Sequence, residues 1–182
     1  SLENDVSIAN NIFVIDQNSN STSLYNTCIN IPSSYSWGSG YCDFNDMYAP
    51  NSSNSQSYVG VVGSTYYTTL TDWNTATSQD ANSVNEDPSF TSTTDLHATS
   101  SKVNGKAKVL AGFPTDIDNQ TRGTSTPPSN TAADMGADEF TPVGLDAGIS
   151  AIVAPASYFS AGNNNVNVRL KNFGLNEILT AD

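Results

Sequence analysis

The sequence predicts an all-β chain of short strands stacked as successive turns, and three observations carry that expectation. First, Ser, Thr and Asn make up 66 of the 182 residues. Such a chain is poor in the Leu, Glu and Lys that helix bundles and coiled coils need. Second, short β-prone runs alternate with punctuation such as NSNST, PSSYSWGSG and APNSSNSQS. Third, Asn interrupts two of those runs at equivalent places, Asn11 in ANNIF and Asn45 in CDFND, although Asn is disfavoured inside strands. If both sit at the same corner of consecutive turns about 4.8 Å apart, their amides can hydrogen-bond along the stack. Independent Asx-turns are the plainer alternative.

The elements follow in order. Residues 6–15 (VSIANNIFVI), 23–31 (SLYNTCINI), 41–48 (YCDFNDMY) and 58–63 (YVGVVG) read as strands. Over 68–79 the period changes: Leu70, Trp73 and Thr77 share one face, with Asp72 in the first turn. This predicts one short amphipathic helix lying on the sheets, with Trp73 as a packing residue. Residues 80–90 and 94–107 alternate strand and turn, 111–132 is loop-rich, and 134–140 closes the region. Residues 141–144 (TPVG) form a linker. Beyond it, Val166, Val168 and Leu170 alternate with Asn167, Arg169 and Lys171, as in a half-buried strand. About 40 residues after the linker are too few for a sandwich with its own core.

Charge narrows the partners. The net charge is -12, and all six basic residues (Lys102, Lys106, Lys108, Arg122, Arg169, Lys171) follow position 101. Nucleic acid and anionic membranes need a basic footprint, so neither is an expected partner. No apolar run approaches ~20 residues, and membrane insertion is not expected. A neutral polysaccharide, a cell-surface partner or a calcium ion remains compatible. Cys28 and Cys42 match neither a zinc nor a redox spacing. Two readings stay open for them: buried thiols or a disulfide.

Several motifs carry a family resemblance. LTDWNTATSQDANSVNEDPSF, followed by DLHATSSKVNGKA, resembles the last coils of bacterial right-handed parallel β-helix proteins of the pectate-lyase-like superfold. There a helix with a central Trp precedes a D-A-N-S strand, an acidic-Pro-x-Phe turn and a D-x-H-L-type strand. NNIF (10–13) and DFND (43–46) resemble the Asn-bearing rungs of that architecture. TDIDNQTRG with DMGADEF resembles its closing segment, with Asn119 where Gly is usual. The resemblance spans about residues 6–140. Residues 145–175 are similar to the opening strands of an immunoglobulin-like surface module, which divides the chain into 1–140 coils and cap, a linker, and incomplete strands over 145–182. The kinship implies a secreted or cell-surface bacterial protein in a polysaccharide-related setting. It implies no activity, since fold alone does not.

Catalytic chemistry finds little support. A polyuronate lyase needs a base and a cation, yet residues 1–101 hold no Lys or Arg and His97 is the only imidazole. Any nucleophilic triad would have to use that same histidine. Glu86/Asp87 and Asp138/Glu139 would point to opposite faces of an extended chain, a poor geometry for a glycosidase pair. Two binding candidates remain. Tyr35, Trp37, Tyr41 and Tyr48 surround a Gly/Ser loop and are expected to stack on sugar or to cover the side of the stack. Asp116 and Asp118 offer alternate oxygens to calcium; the competing reading is a turn in which Arg122 pairs with a carboxylate such as Asp138. The leading expectation is a non-catalytic scaffold or adhesion segment, without a cofactor unless calcium. The alternative is part of a carbohydrate-active lyase or hydrolase whose catalytic coils lie outside this chain. Open ends of such a stack would seek partners, so strand exchange into a homo-oligomer is expected.

Overall fold

A computed structural model of the chain describes residues 5–15, 25–50, 56–142, 147–155 and 161–172. Its elements are mostly strands with one short helix, an all-β chain. They are β1 (Ser7–Ala9), β2 (Ile12–Val14), β3 (Tyr25–Ile31), β4 (Tyr41–Asp43), β5 (Asp46–Tyr48), β6 (Gln56–Val62), β7 (Thr65–Tyr67), α1 (Leu70–Thr77), β8 (Ala147–Ala154) and β9 (Asn167–Asn172). The chain divides into two units, 1–140 and 141–182. Val143 and Gly144 of the expected linker lie outside the described residues. No described helix is long and apolar enough to cross a membrane.

In the first unit the chain twice runs along the same path. β1 pairs in parallel with β4 (Ser7 opposite Tyr41) and β2 with β5 (Ile12 opposite Asp46). β3 pairs in parallel with β6, and β7 folds back antiparallel on β6. Each of the runs 6–15 and 41–48 is therefore two strands with a corner between them. At the corner Asn10 (φ 62°) and Phe44 (φ 60°) adopt the left-handed conformation, tolerable for Asn and costly for Phe. Side-chain bonds hold the bend. The Asn11 N–H and Nδ2 both donate to Asn45 Oδ1 at 3.0 Å, and Asn45 Nδ2 donates to the Ile8 carbonyl at 3.0 Å. The Asn45 N–H in turn donates to Ser83 Oγ at 2.8 Å, and Val84 bridges Asp46 in parallel. Asn11, Asn45 and Ser83 form one hydrogen-bonded column across three passes of the chain.

The helix is shorter than the expected 68–79. Thr69 caps it: its Oγ1 accepts the Asp72 N–H at 3.1 Å and donates to Asp72 Oδ2 at 2.7 Å. It ends at Ser78 in the left-handed region. Trp73 is fully buried in the first core, with Ile29, Cys42, Met47 and Val59. Its ring lies over Gly60, meets Tyr67 edge-on at 5.9 Å, and donates Nε1–H to Asp80 Oδ2 at 2.8 Å.

From residue 80 to 140 the structure departs from the expected strand–turn alternation, and only isolated bridges occur. Carboxylates accept the backbone N–H groups that a ladder would otherwise satisfy. Asp43 takes Asn82 N–H, Asp46 takes Glu86 N–H and Asp87 takes Ser89 N–H. Asp134, itself buried, takes the N–H groups of Gly105 and Phe140. A second core of Ala98, Val103, Ala107, Ala133 and Met135 is packed by Ile12, Phe44 and Val84, so this irregular segment is seated on the corners of the strands.

The second unit contains the antiparallel pair β8–β9. The expectation of a half-buried strand is corrected here: β9 is exposed along its whole length, because β8 is its one partner among the described residues.

Gly60 tests the packing of α1. A Cβ there would stand 2.3 Å from the Trp73 ring, so Gly60→Ala is expected to destabilise by about 1–3 kcal/mol. A lower urea midpoint with red-shifted tryptophan emission is the expected reading; an unchanged midpoint contradicts it.

Candidate functional site

A groove of about 870 Å³ opens beside the first core. Tyr25, Asn26 and Thr27 of β3 form one wall, Tyr48 of β5 the floor, and Phe90 and Leu96 from the irregular segment face them. Tyr25 is 51% exposed and Leu96 62%. Tyr25 also belongs to an aromatic triad: its ring lies 4.8 Å from Tyr66 and 6.1 Å from Tyr58, and Tyr58 lies 4.8 Å from Tyr66. Asn26 Nδ2, at the edge of the groove, is buried and has no hydrogen-bond partner among the described residues. Flat rings beside amide and hydroxyl groups suit a ligand with apolar faces and many hydroxyls.

The four aromatics singled out from the sequence are distributed. Tyr35 meets Trp37 edge-on at 5.0 Å, and Trp37 packs against the first core. Tyr41 lies beneath Lys108, whose Nζ is 4.4 Å from the ring centre. Tyr48 lines the groove. The other groove and triad tyrosines were unremarkable in sequence: Tyr25 and Tyr58 fall inside strand runs, and Tyr66 lies just past one, on β7. Only the pairing of β3 with β6, and of β6 with β7, brings them together.

Cys28 and Cys42 are free thiols, which corrects the disulfide alternative. Each sulfur faces an acceptor: Cys42 Sγ is 3.4 Å from Asp80 Oδ1, and Cys28 Sγ is 4.0 Å from the Phe13 carbonyl. Burial pushes the Cys28 thiol up to about 12, helped by the nearby Asp46 charge.

Asp116 and Asp118 do not converge on one ion-binding pocket. Both Asp116 oxygens are occupied by peptide donors: Oδ1 accepts the N–H groups of Asp118 and Gln120 at 2.9 and 2.7 Å, and Oδ2 accepts that of Glu139 at 2.9 Å. Asp118 Oδ2 instead stands 2.7 Å from His97 Nε2, and His97 Nδ1 contacts the Asp95 carboxylate. Hydrogen bonds to Asp95 and Asp118 push the half-buried His97 up to about 9, so it is an imidazolium at neutral pH. Arg122 pairs with Glu139 at 3.0 Å rather than with Asp138, and also donates to the carbonyls of Asp134 and Gly136.

Comparison with known proteins gives no match: no family model, curated protein or solved structure corresponds to this chain. The functional reading therefore stands on the site itself.

Asp46 supplies a pH test. It is fully buried, with Oδ1 accepting the Glu86 N–H and Oδ2 unbonded among the described residues. Burial, with lesser help from Glu86 and Asp87, raises its carboxyl to about 7, against about 3.9 in an unfolded chain. The folded state holds this proton more tightly, so stability falls as pH rises from about 4 to 7. Between pH 4 and 8 the native chain is expected to lose on the order of 2–4 kcal/mol more than Asp46→Asn. Urea midpoints of the two chains across that range check it; parallel curves contradict it.

Proposed function

We propose that this chain is a non-catalytic, carbohydrate-binding scaffold segment of a larger secreted or cell-surface bacterial protein. The single observation that carries the reading is the tyrosine-lined groove, with the exposed Tyr25 ring at its wall. Charge supports a neutral ligand: the net charge of -12 disfavours acidic polysaccharides. On this reading residues 7–62 are two coils of a right-handed parallel β-helix. The 34-residue spacing of the Asn11–Asn45 bond and the matching registers of β1–β4 and β2–β5 support it. Residues 81–140 then cap the coils, and β8–β9 open an immunoglobulin-like module.

The scaffold character follows from the same geometry. Stacked turns bury little apolar area each and gain stability from their neighbours, which lays the groove walls on separate passes of one rigid stack. Tyr25 and Tyr48 come from different strands, so spacing between the rings is set by the stack rather than by a loop.

The test is retardation of the chain in gels containing neutral polysaccharide (dextran or xylan), with polygalacturonate as the anionic comparison. Neutral polymer is expected to retard it, and Tyr25→Ala to weaken binding about five- to tenfold. Retardation by polygalacturonate alone, or equal binding by Tyr25→Ala, overturns the assignment.

A further inference from the structure

We propose that His97, Asp118 and Asp138 form a binding site for a divalent first-row transition ion of the zinc class. Nε2 of His97 and one carboxylate oxygen from each aspartate lie within 4.8 Å of one another. The three ligands come from three separate segments of the irregular region. Asp138 is the decisive member. It is 5% exposed, and its carboxylate makes no hydrogen bond or ion pair among the described residues. A carboxylate on a buried residue is costly without a partner, and one oxygen of this one lies within 4.8 Å of an imidazole nitrogen and of a second carboxylate oxygen.

The surroundings hold the three groups in place. Asp95 engages His97 Nδ1, the arrangement that fixes a metal-bound histidine with Nε2 forward. Asp116 ties the Asp118 turn to the segment of Asp138 through the peptide N–H groups of Asp118 and Glu139, and Ile117 N–H donates to the Ala137 carbonyl at 3.1 Å. Asp116 is thus a positioning residue, not a ligand. Asn119, in the left-handed conformation at φ 66°, completes the turn.

Geometry and ligand type select the ion. Tetrahedral ligands about 2.0–2.1 Å from zinc are about 3.4 Å apart. From the present arrangement the far pair must close by up to about 1.4 Å, while Nε2 and Asp118 Oδ2 open by about 0.7 Å from 2.7 Å. One imidazole with two carboxylates fits zinc, with water in the fourth position. Calcium takes six to eight oxygens and gains nothing from the imidazole. Binding releases the Nε2 proton, and the cation would cross-link three loops of the segment seated on the strands.

The experiment uses the full chain without an affinity tag, dialysed against EDTA and titrated with ZnCl2, CoCl2 and CaCl2 in separate calorimetric runs. Expected are one zinc per chain, a melting midpoint raised by several degrees, and a visible Co²⁺ absorption band. His97→Ala and Asp138→Asn should each weaken zinc at least 100-fold, while Asp5→Asn leaves it unchanged. Circular dichroism of each variant separates lost binding from lost folding, and His97→Gln provides a second probe should His97→Ala unfold. Absence of saturable zinc or cobalt binding, binding retained in folded Asp138→Asn, or calcium bound tighter than zinc overturns the proposal.

Discussion

One buried carboxylate, that of Asp80, connects most of the first unit. Its Oδ1 accepts Ser83 Oγ at 2.6 Å, Asn45 Nδ2 at 3.3 Å and Cys42 Sγ at 3.4 Å, and its Oδ2 accepts the Trp73 indole at 2.8 Å. Through those four bonds α1, the β4–β5 corner and the third pass of the chain share a single acceptor. Asp80 can sit there only because its own backbone turns left-handed (φ 59°) and its N–H reaches the Cys42 carbonyl at 2.7 Å. A buried network of this kind is stabilising when every member is satisfied and costly when one is lost. The corner therefore depends on all of its donors at once.

The same logic explains the acidic, lysine-poor composition. In most sheets the backbone ladder satisfies the N–H groups and acidic side chains stay in water. Here carboxylates at positions 43, 46, 87, 116 and 134 stand in for ladder partners, accepting backbone N–H groups that would otherwise be orphaned. Short Asp, Asn, Ser and Thr side chains reach their own neighbourhood, which is why they recur where regular strands stop. Charge accumulates as a by-product of local backbone satisfaction. Arg122 offsets part of it where Glu139 and the Asp134 and Gly136 carbonyls converge.

How much of this was legible in the sequence differs by residue. The helix was, because Leu70, Trp73 and Thr77 recur at helical spacing with Asp72 in the first turn. Hydrophobic runs located β1 to β6 but neither β7 nor the irregular course of 80–107, and the Asn11–Asn45 spacing gave a contact that the structure realises as a hydrogen bond. The corners inside runs 6–15 and 41–48 were hidden. Nothing in the word CDFND announces a left-handed Phe44, which the second core compensates by packing its side chain. The triad of Tyr25, Tyr58 and Tyr66 was hidden for another reason: its members meet only through strand register, which depends on loop lengths rather than local pattern. His97, Asp118 and Asp138 were each visible, but the Asp116 turn was read either as oxygens for calcium or as a salt-bridged turn, and neither reading brings His97 beside it.

The segment 91–97 joins the groove to the carboxylate cluster around His97. Thr91 N–H donates to the His97 carbonyl and Ser92 N–H to the Asp95 carbonyl, both at 3.0 Å, closing a tight loop. One side of that loop gives Ser92, Thr93 and Leu96 to the groove, and its end gives His97 to the carboxylate cluster. The two backbone bonds fix the path of the chain between Thr91 and His97, so the backbone that carries Leu96 and the backbone that carries His97 share one closed loop. One short loop thus contributes both to the groove and to the carboxylate cluster around His97.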